Sequence, residues 1–216
     1  MPSRKSAKTP GNRAARKSVP RKTLKTGPYR LPEVTEERLN PAQRKLLASL
    51  RASPRGKGVS LGGPFGVYMH APEVGEVAQQ LAAFCRYHTR LPKRLSEFAI
   101  LFVGRQWKSQ YEFFVHARDG AAAGLKPQTI RDLQAGRMPK NAPKDERALY
   151  TFLAELHKKK RVSDKAYRAA HAVLGDAGMI ELIAIVGSYT TTSMILNAFR
   201  VPLPEGSTPP FAEPKV

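Results

Sequence analysis

Between residues 95 and 103 the chain reads Leu-Ser-Glu-Phe-Ala-Ile-Leu-Phe-Val. At 3.6 residues per turn, Leu95, Phe98, Ala99 and Phe102 share one face of a helix over about 93–107. Ile100, Leu101 and Val103 make the other faces apolar as well. A helix of that kind must be enclosed, either by its own chain or by another copy of it. A second such segment, 178–199, stops before Pro202 and Pro204. No alternating strand pattern or Asn-Gly hairpin competes with these signals, so the expected fold is all-α.

The remaining punctuation is helical too. Asn40-Pro41 is a cap followed by proline at the first helical position, and opens a helix to about residue 50. Val74, Val77, Leu81 and Phe84 recur at helical spacing over 72–88. A helix over 110–123 ends at Gly124, shorter ones follow at 127–135 and 144–159, and Ser163 caps another that runs to residue 174. The stretch 55–66 is glycine-rich and reads as a loop. It lacks the Gly-Lys-Ser/Thr that would make it a phosphate-binding loop.

The chain has 216 residues, one cysteine and a formal charge of +20. One cysteine, Cys85, forms no internal disulfide and no thiolate cluster. Beside Phe84 in an apolar helix it reads as a buried inert thiol, compatible with a reducing, cytoplasmic setting. The greasiest run, Met179 to Val186, is broken by Glu181, so no membrane span and no membrane partner is expected. Residues 1–28 carry nine bases and no acid. They are read as a disordered basic tail that solubilises the chain, with non-specific nucleic-acid contact or organelle targeting as alternatives. The domain then spans 29–205, and 206–216 forms a C-terminal tail.

The polar residues that interrupt the apolar pattern converge near the fourth long helix. Glu112 and His116 are four apart and share a face. Ser109 precedes them at the helix start. Glu97 is a carboxylate on the enclosed helix, where burial is costly unless it is paired. A hairpin of the two helices would let Glu97 meet His116 or Ser109, giving a histidine held for proton transfer. The alternative is an exposed Glu112–His116 pair with Glu97 reaching solvent. Arg105 is a candidate carboxylate clamp, and Trp107 and Tyr111 are candidate pocket walls. A surface salt bridge and an oligomer contact are their plainer roles. His70, His88, His157 and His171 read as surface or cap residues. None is spaced to join His116 as a metal ligand, so no metal site is expected.

The pattern Glu97-(eleven)-Ser109-(two)-Glu112-(three)-His116 resembles the signature of the carboxymuconolactone decarboxylase / alkylhydroperoxidase D-like family. That signature reads Glu-x11-Cys-x2-Cys-x3-His. The resemblance continues through His116-Ala-Arg-Asp-Gly-Ala-Ala-Ala-Gly-Leu125, Gly187-Ser-Tyr189 and Leu196-Asn-Ala-Phe-Arg-Val-Pro-Leu-Pro204, over residues 60–205. It implies an alkylhydroperoxidase D-like helical bundle and a homo-oligomer, trimeric or hexameric. It also implies a relay role for Glu97 and His116. Ser109 and Glu112 stand where the peroxidase branch carries its redox cysteines, and neither residue does thiol chemistry.

The resemblance therefore points to the decarboxylase-like branch. The expected activity is a cofactor-free lyase or proton-transfer enzyme on a small organic acid such as a lactone acid. His116 would be the acid/base, with Glu97 its orienting partner and Glu112 a second carboxylate. Two alternatives remain: an alkylhydroperoxidase or peroxiredoxin-type antioxidant without a working cysteine pair, and a non-catalytic member that binds polyanions.

Overall fold

A computed structural model describes residues 28–213, so the basic tail lies outside the described residues except for Pro28. After a short 3-10 turn at Glu36–Arg38 come eight helices: α1 (Pro41–Ala52), α2 (Gly63–Tyr68), α3 (Pro72–Tyr87), α4 (Lys93–Gln106), α5 (Gln110–Ala122), α6 (Pro127–Gln134), α7 (Lys144–Lys159) and α8 (Asp164–Ala198). No strand occurs among the described residues.

Local chemistry sets most boundaries. Asn40 Oδ1 accepts from the Gln43 N–H at 2.9 Å, and Gln43 Oε1 accepts from the Asn40 N–H at 2.8 Å. This reciprocal pair closes the first turn of α1. Ser163 caps α8 by accepting from the Ala166 N–H. Within α8, Gly175 takes φ +64° and ψ 178°, a non-helical geometry that breaks the element into two helices. The sequence reading of separate helices on either side of that point corresponds to this break.

α4 is the central helix. Every residue from Leu95 to Gly104 is buried, with α5, α6, α7 and α8 packed around it. Its all-round apolar character is thus satisfied inside one chain, and needs no second copy. Each such side chain contributes roughly 1.5–3 kcal/mol through burial.

Two expectations need correction, and the stripe on α3 gains a direction that its spacing left open. The segment 55–66 is not all loop, because α2 begins at Gly63. Gly63, Pro64 and Gly66 are poor helix formers, but Val67, Tyr68 and Met69 are buried, and that packing overrides propensity. The apolar stripe of α3 faces outward: Val74 is 62% and Val77 70% exposed. The buried side of α3 is instead Gly75, Gln79, Ala83 and Cys85. At Gly75 an added Cβ would meet Leu46 Cδ2 at 2.7 Å and Tyr68 Cβ at 2.8 Å, so α3 rests directly on α1 and α2. Finally, α8 is long and apolar enough to cross a membrane by length and composition alone. Helices α3, α4 and α7 pack against it, and its Glu181 is ion-paired with Arg90 and accepts from the Arg90 N–H at 2.6 Å.

Within the C-terminal tail, Pro210 and Phe211 contact the domain. The Phe211 N–H donates to Gln110 Oε1 at 2.9 Å, and its ring meets Phe113 edge-on at 5.0 Å. Gln134 Nε2 donates to the Pro210 carbonyl at 2.6 Å.

Candidate active site

α4 and α5 form a tight antiparallel hairpin. Lys108 adopts φ +47°, and the Ser109 N–H donates back to the Gly104 carbonyl at 2.9 Å, so the chain reverses within Trp107–Ser109. Further along the pair, Gly120 permits close approach. A Cβ there would lie 2.9 Å from Leu125 Cδ1, 3.3 Å from Leu101 Cδ1 and 3.6 Å from Glu97 Cβ. The hairpin brings Glu97 of α4 beside His116 of α5.

His116 Nδ1 lies 2.6 Å from Glu97 Oε2, and both residues are buried. On the other side of the ring, Nε2 lies 3.2 Å from Glu112 Oε1. That second contact is an ion-pair distance whose angle is not that of a hydrogen bond, so Glu112 Oε1 has no aligned donor among the described residues. Lys93, half exposed, reaches Glu97 Oε1 at 2.8 Å from one turn earlier on α4, again as a charge contact without hydrogen-bond alignment. The Tyr189 ring of α8 stands edge-on to the imidazole at 5.0 Å and 88°.

The electrostatics follow from this clamp. Burial disfavours the imidazolium, but Glu112 and Glu97 together outweigh it and raise the His116 pKa to about 9. Burial likewise opposes ionisation of Glu97, and the contacts from His116 and Lys93 overcome it and lower Glu97 to about 2. The group at neutral pH is an imidazolium between two carboxylates. Burial, with the negative charge of Glu112 beside them, raises the pKa of Tyr68, Tyr111 and Tyr189, so these phenols keep their protons.

A cavity of about 350 Å³ opens against this group. His116, Glu112 and Tyr111 line it, and Glu97 lies behind His116, fully buried. The other sequence candidates lie elsewhere. Ser109 is the buried N-cap of α5, and its Oγ has no partner among the described residues. Arg105 stacks over Phe211 at 5.6 Å and presses on Gly136, away from the cavity. Trp107 borders a separate apolar recess with Phe102, Leu153 and Leu156, and its carbonyl accepts from Asn197 Nδ2 at 2.7 Å. Neither Arg105 nor Trp107 lines this cavity.

Sequence reasoning missed Arg55, Phe65 and Tyr68, which come from the glycine-rich stretch and α2. It also missed Arg86 on α3 and the role of Tyr189. The Gly187-Ser-Tyr189 stretch was the one available signal.

Glu97, His116 and Asp119 bring ligand atoms within 4.8 Å of one another. Each carboxylate is already held by a cation, Glu97 by His116 and Lys93 and Asp119 by Arg86. A metal ion would have to displace these cations, so the donor set does not fit one.

No protein-family model and no curated protein sequence matches the chain. Among solved structures it is similar to a protein of unknown function from Agrobacterium tumefaciens, suggested to be the antioxidant defence protein AhpD. The TM-score is 0.58 and the identity 17%, over 66% of this chain and 98% of that one.

Proposed function

We propose that this chain, whose helices form an AhpD-like fold, is a cofactor-free acid–base enzyme of the decarboxylase-like kind, acting on a small organic acid. The observation that carries this reading is the buried imidazolium clamped by Glu97 and Glu112 at the wall of a ligand-sized cavity. With its pKa raised to about 9, His116 is a proton donor at neutral pH and a poor base. In a decarboxylation the bond from carbon to the carboxylate breaks. The electron pair passes into adjacent unsaturation of the substrate, and the carbon then takes a proton from His116. Glu97 fixes the ring orientation, and solvent entering the cavity restores the proton. Glu112 supports the positive charge before transfer and faces the substrate.

Purified protein turning over a panel of lactone acids, with at least a hundredfold loss in His116→Ala, is the expected result. Equal turnover by the two proteins, or none by wild type across the panel, counts against the reading.

An antioxidant role, as suggested for the Agrobacterium protein, would require a redox group. Ser109 and Glu112 stand at the signature's cysteine positions. Cys85 is fully buried on α3, outside the cavity lining, and burial pushes its thiol pKa up, which leaves little thiolate. Acid–base chemistry is therefore the preferred reading. A single buried thiol also suits a reducing compartment, and the proposal includes a cytoplasmic setting.

The same reading includes a homo-oligomer, trimeric or hexameric. Its support is two exposed apolar stripes, Val74, Val77, Leu81 and Phe84 on α3 and Ile180, Ile183 and Met194 on α8, with Ile180 72% exposed. Apolar rows of this extent mark association surfaces.

A further inference from the structure

Three arginines line the cavity. Arg86 is ion-paired with Asp119, and Arg118 meets the same carboxylate at 3.1 Å. Arg55 has no carboxylate partner among the described residues. Its Nη1 donates to Ser53 Oγ and to Gln79 Oε1, both at 3.3 Å, and its Nη2 donates to the Gln79 carbonyl at 3.4 Å. These are long bonds to neutral acceptors, and a guanidinium has five N–H donors to satisfy.

The group is nonetheless held firmly in place. It lies 5.3 Å over the Phe65 ring and 5.8 Å over that of Tyr87, between two aromatic faces. An arginine that is half-buried, aromatic-clamped, without a counter-ion and placed on a cavity wall is short of one anion. Burial and the neighbouring Arg86 charge act in the same sense, disfavouring its charged form until an anion arrives.

The rest of the wall describes that anion. Tyr68, Tyr111 and Tyr189 line the cavity, and their hydroxyls make no hydrogen bond among the described residues, so the wall carries phenols with donors to spare for oxygen atoms. Phe65 and Tyr87 add flat apolar surface. A carboxylate matches the planar fork of a guanidinium through two parallel hydrogen bonds, and an unsaturated ring matches the aromatic walls.

We infer that Arg55 is the specificity-determining residue of this cavity, binding the carboxylate of a small planar unsaturated acid. The reacting carbon of that acid then lies toward His116, a consequence that rests on the acid–base reading above. Arg55 lies in the chain ahead of the segment that carries the signature, so the charge that selects the ligand comes from outside it.

Calorimetric titration with benzoate, its neutral amide benzamide, muconolactone and inorganic phosphate tests this at constant ionic strength. Wild type should bind benzoate or muconolactone at least tenfold more tightly than benzamide. Arg55→Gln should abolish that preference and leave benzamide binding unchanged. Arg55→Lys, which keeps the charge but loses the fork, should restore it in part and also controls for folding. The inference is overturned by equal binding of acid and amide to wild type, by no binding of either acid, by Arg55→Gln retaining the preference, or by binding of phosphate alone. Binding needs no turnover. A protein that selects acids through Arg55 but converts none would sink the acid–base reading and leave this one standing.

Discussion

Glu97 and His116 are nineteen positions apart, and their side chains meet at 2.6 Å between two helices, both of them buried. That contact ties the central helix α4 to the cavity wall on α5. An uncharged replacement that keeps the shape separates electrostatics from packing. Glu97→Gln leaves a buried imidazolium with one counter-ion fewer, and the expected destabilisation is about 3–5 kcal/mol in denaturant unfolding. A loss below about 1 kcal/mol would mean that the pair contributes little.

Stability should depend on pH in a window set by this pair. His116 has a raised folded pKa, so its contribution is fully present below its ordinary value of 6.5 and is lost as pH rises through about 9. Glu97 has a lowered pKa, so its contribution is present above its ordinary value of 4.5 and is lost as pH falls toward about 2. Both limbs report one interaction, seen from its two partners. Thermal melting of wild type should therefore peak between these limbs. Glu97→Gln should flatten the alkaline limb, and an unchanged limb in that variant would contradict the assignment.

Glycine at position 120 sets the distance between the hairpin's helices. Gly120→Val places side-chain atoms where a single Cβ already meets Leu125 at 2.9 Å. Overpacking of this kind costs about 1–3 kcal/mol and moves α5 away from Glu97. The variant should show a lower melting temperature together with a lower His116 pKa. A lower melting temperature alone would mean that the shift is absorbed elsewhere.

Association should depend on the outward faces of α3 and α8. Val77→Asp and Ile180→Asp change residues that are 70% and 72% exposed, so the monomer's core should tolerate them. Light scattering should report an oligomer for wild type and a smaller species for the double variant. A monomeric wild type would remove the oligomer from the account.

The hairpin was the most legible part of the molecule. Gly124 marks the end of its second helix, but spacing left open whether Glu97 meets His116 or reaches solvent, and the tight turn at Trp107–Ser109 is what brings the two together. The stripe on α3 shows the limit of periodicity. Val74, Val77, Leu81 and Phe84 share a face, but spacing does not say whether that face meets the core, and Gly75 on the other side lets α1 and α2 pack close. α2 was hidden because its glycines and proline argue against a helix that only tertiary burial stabilises. Arg55 was hidden for a different reason. It reaches the cavity from a loop far from the hairpin in sequence, and nothing local marks where its side chain ends.

The most direct measurement is the titration of the His116 ring nitrogens by nitrogen-15 NMR, assigned with His116→Gln. A doubly protonated imidazolium persisting through neutral pH and titrating near 9 is the predicted result. Titration at or below the ordinary value of about 6.5 would contradict the account, because His116 would then carry no proton to donate at neutral pH.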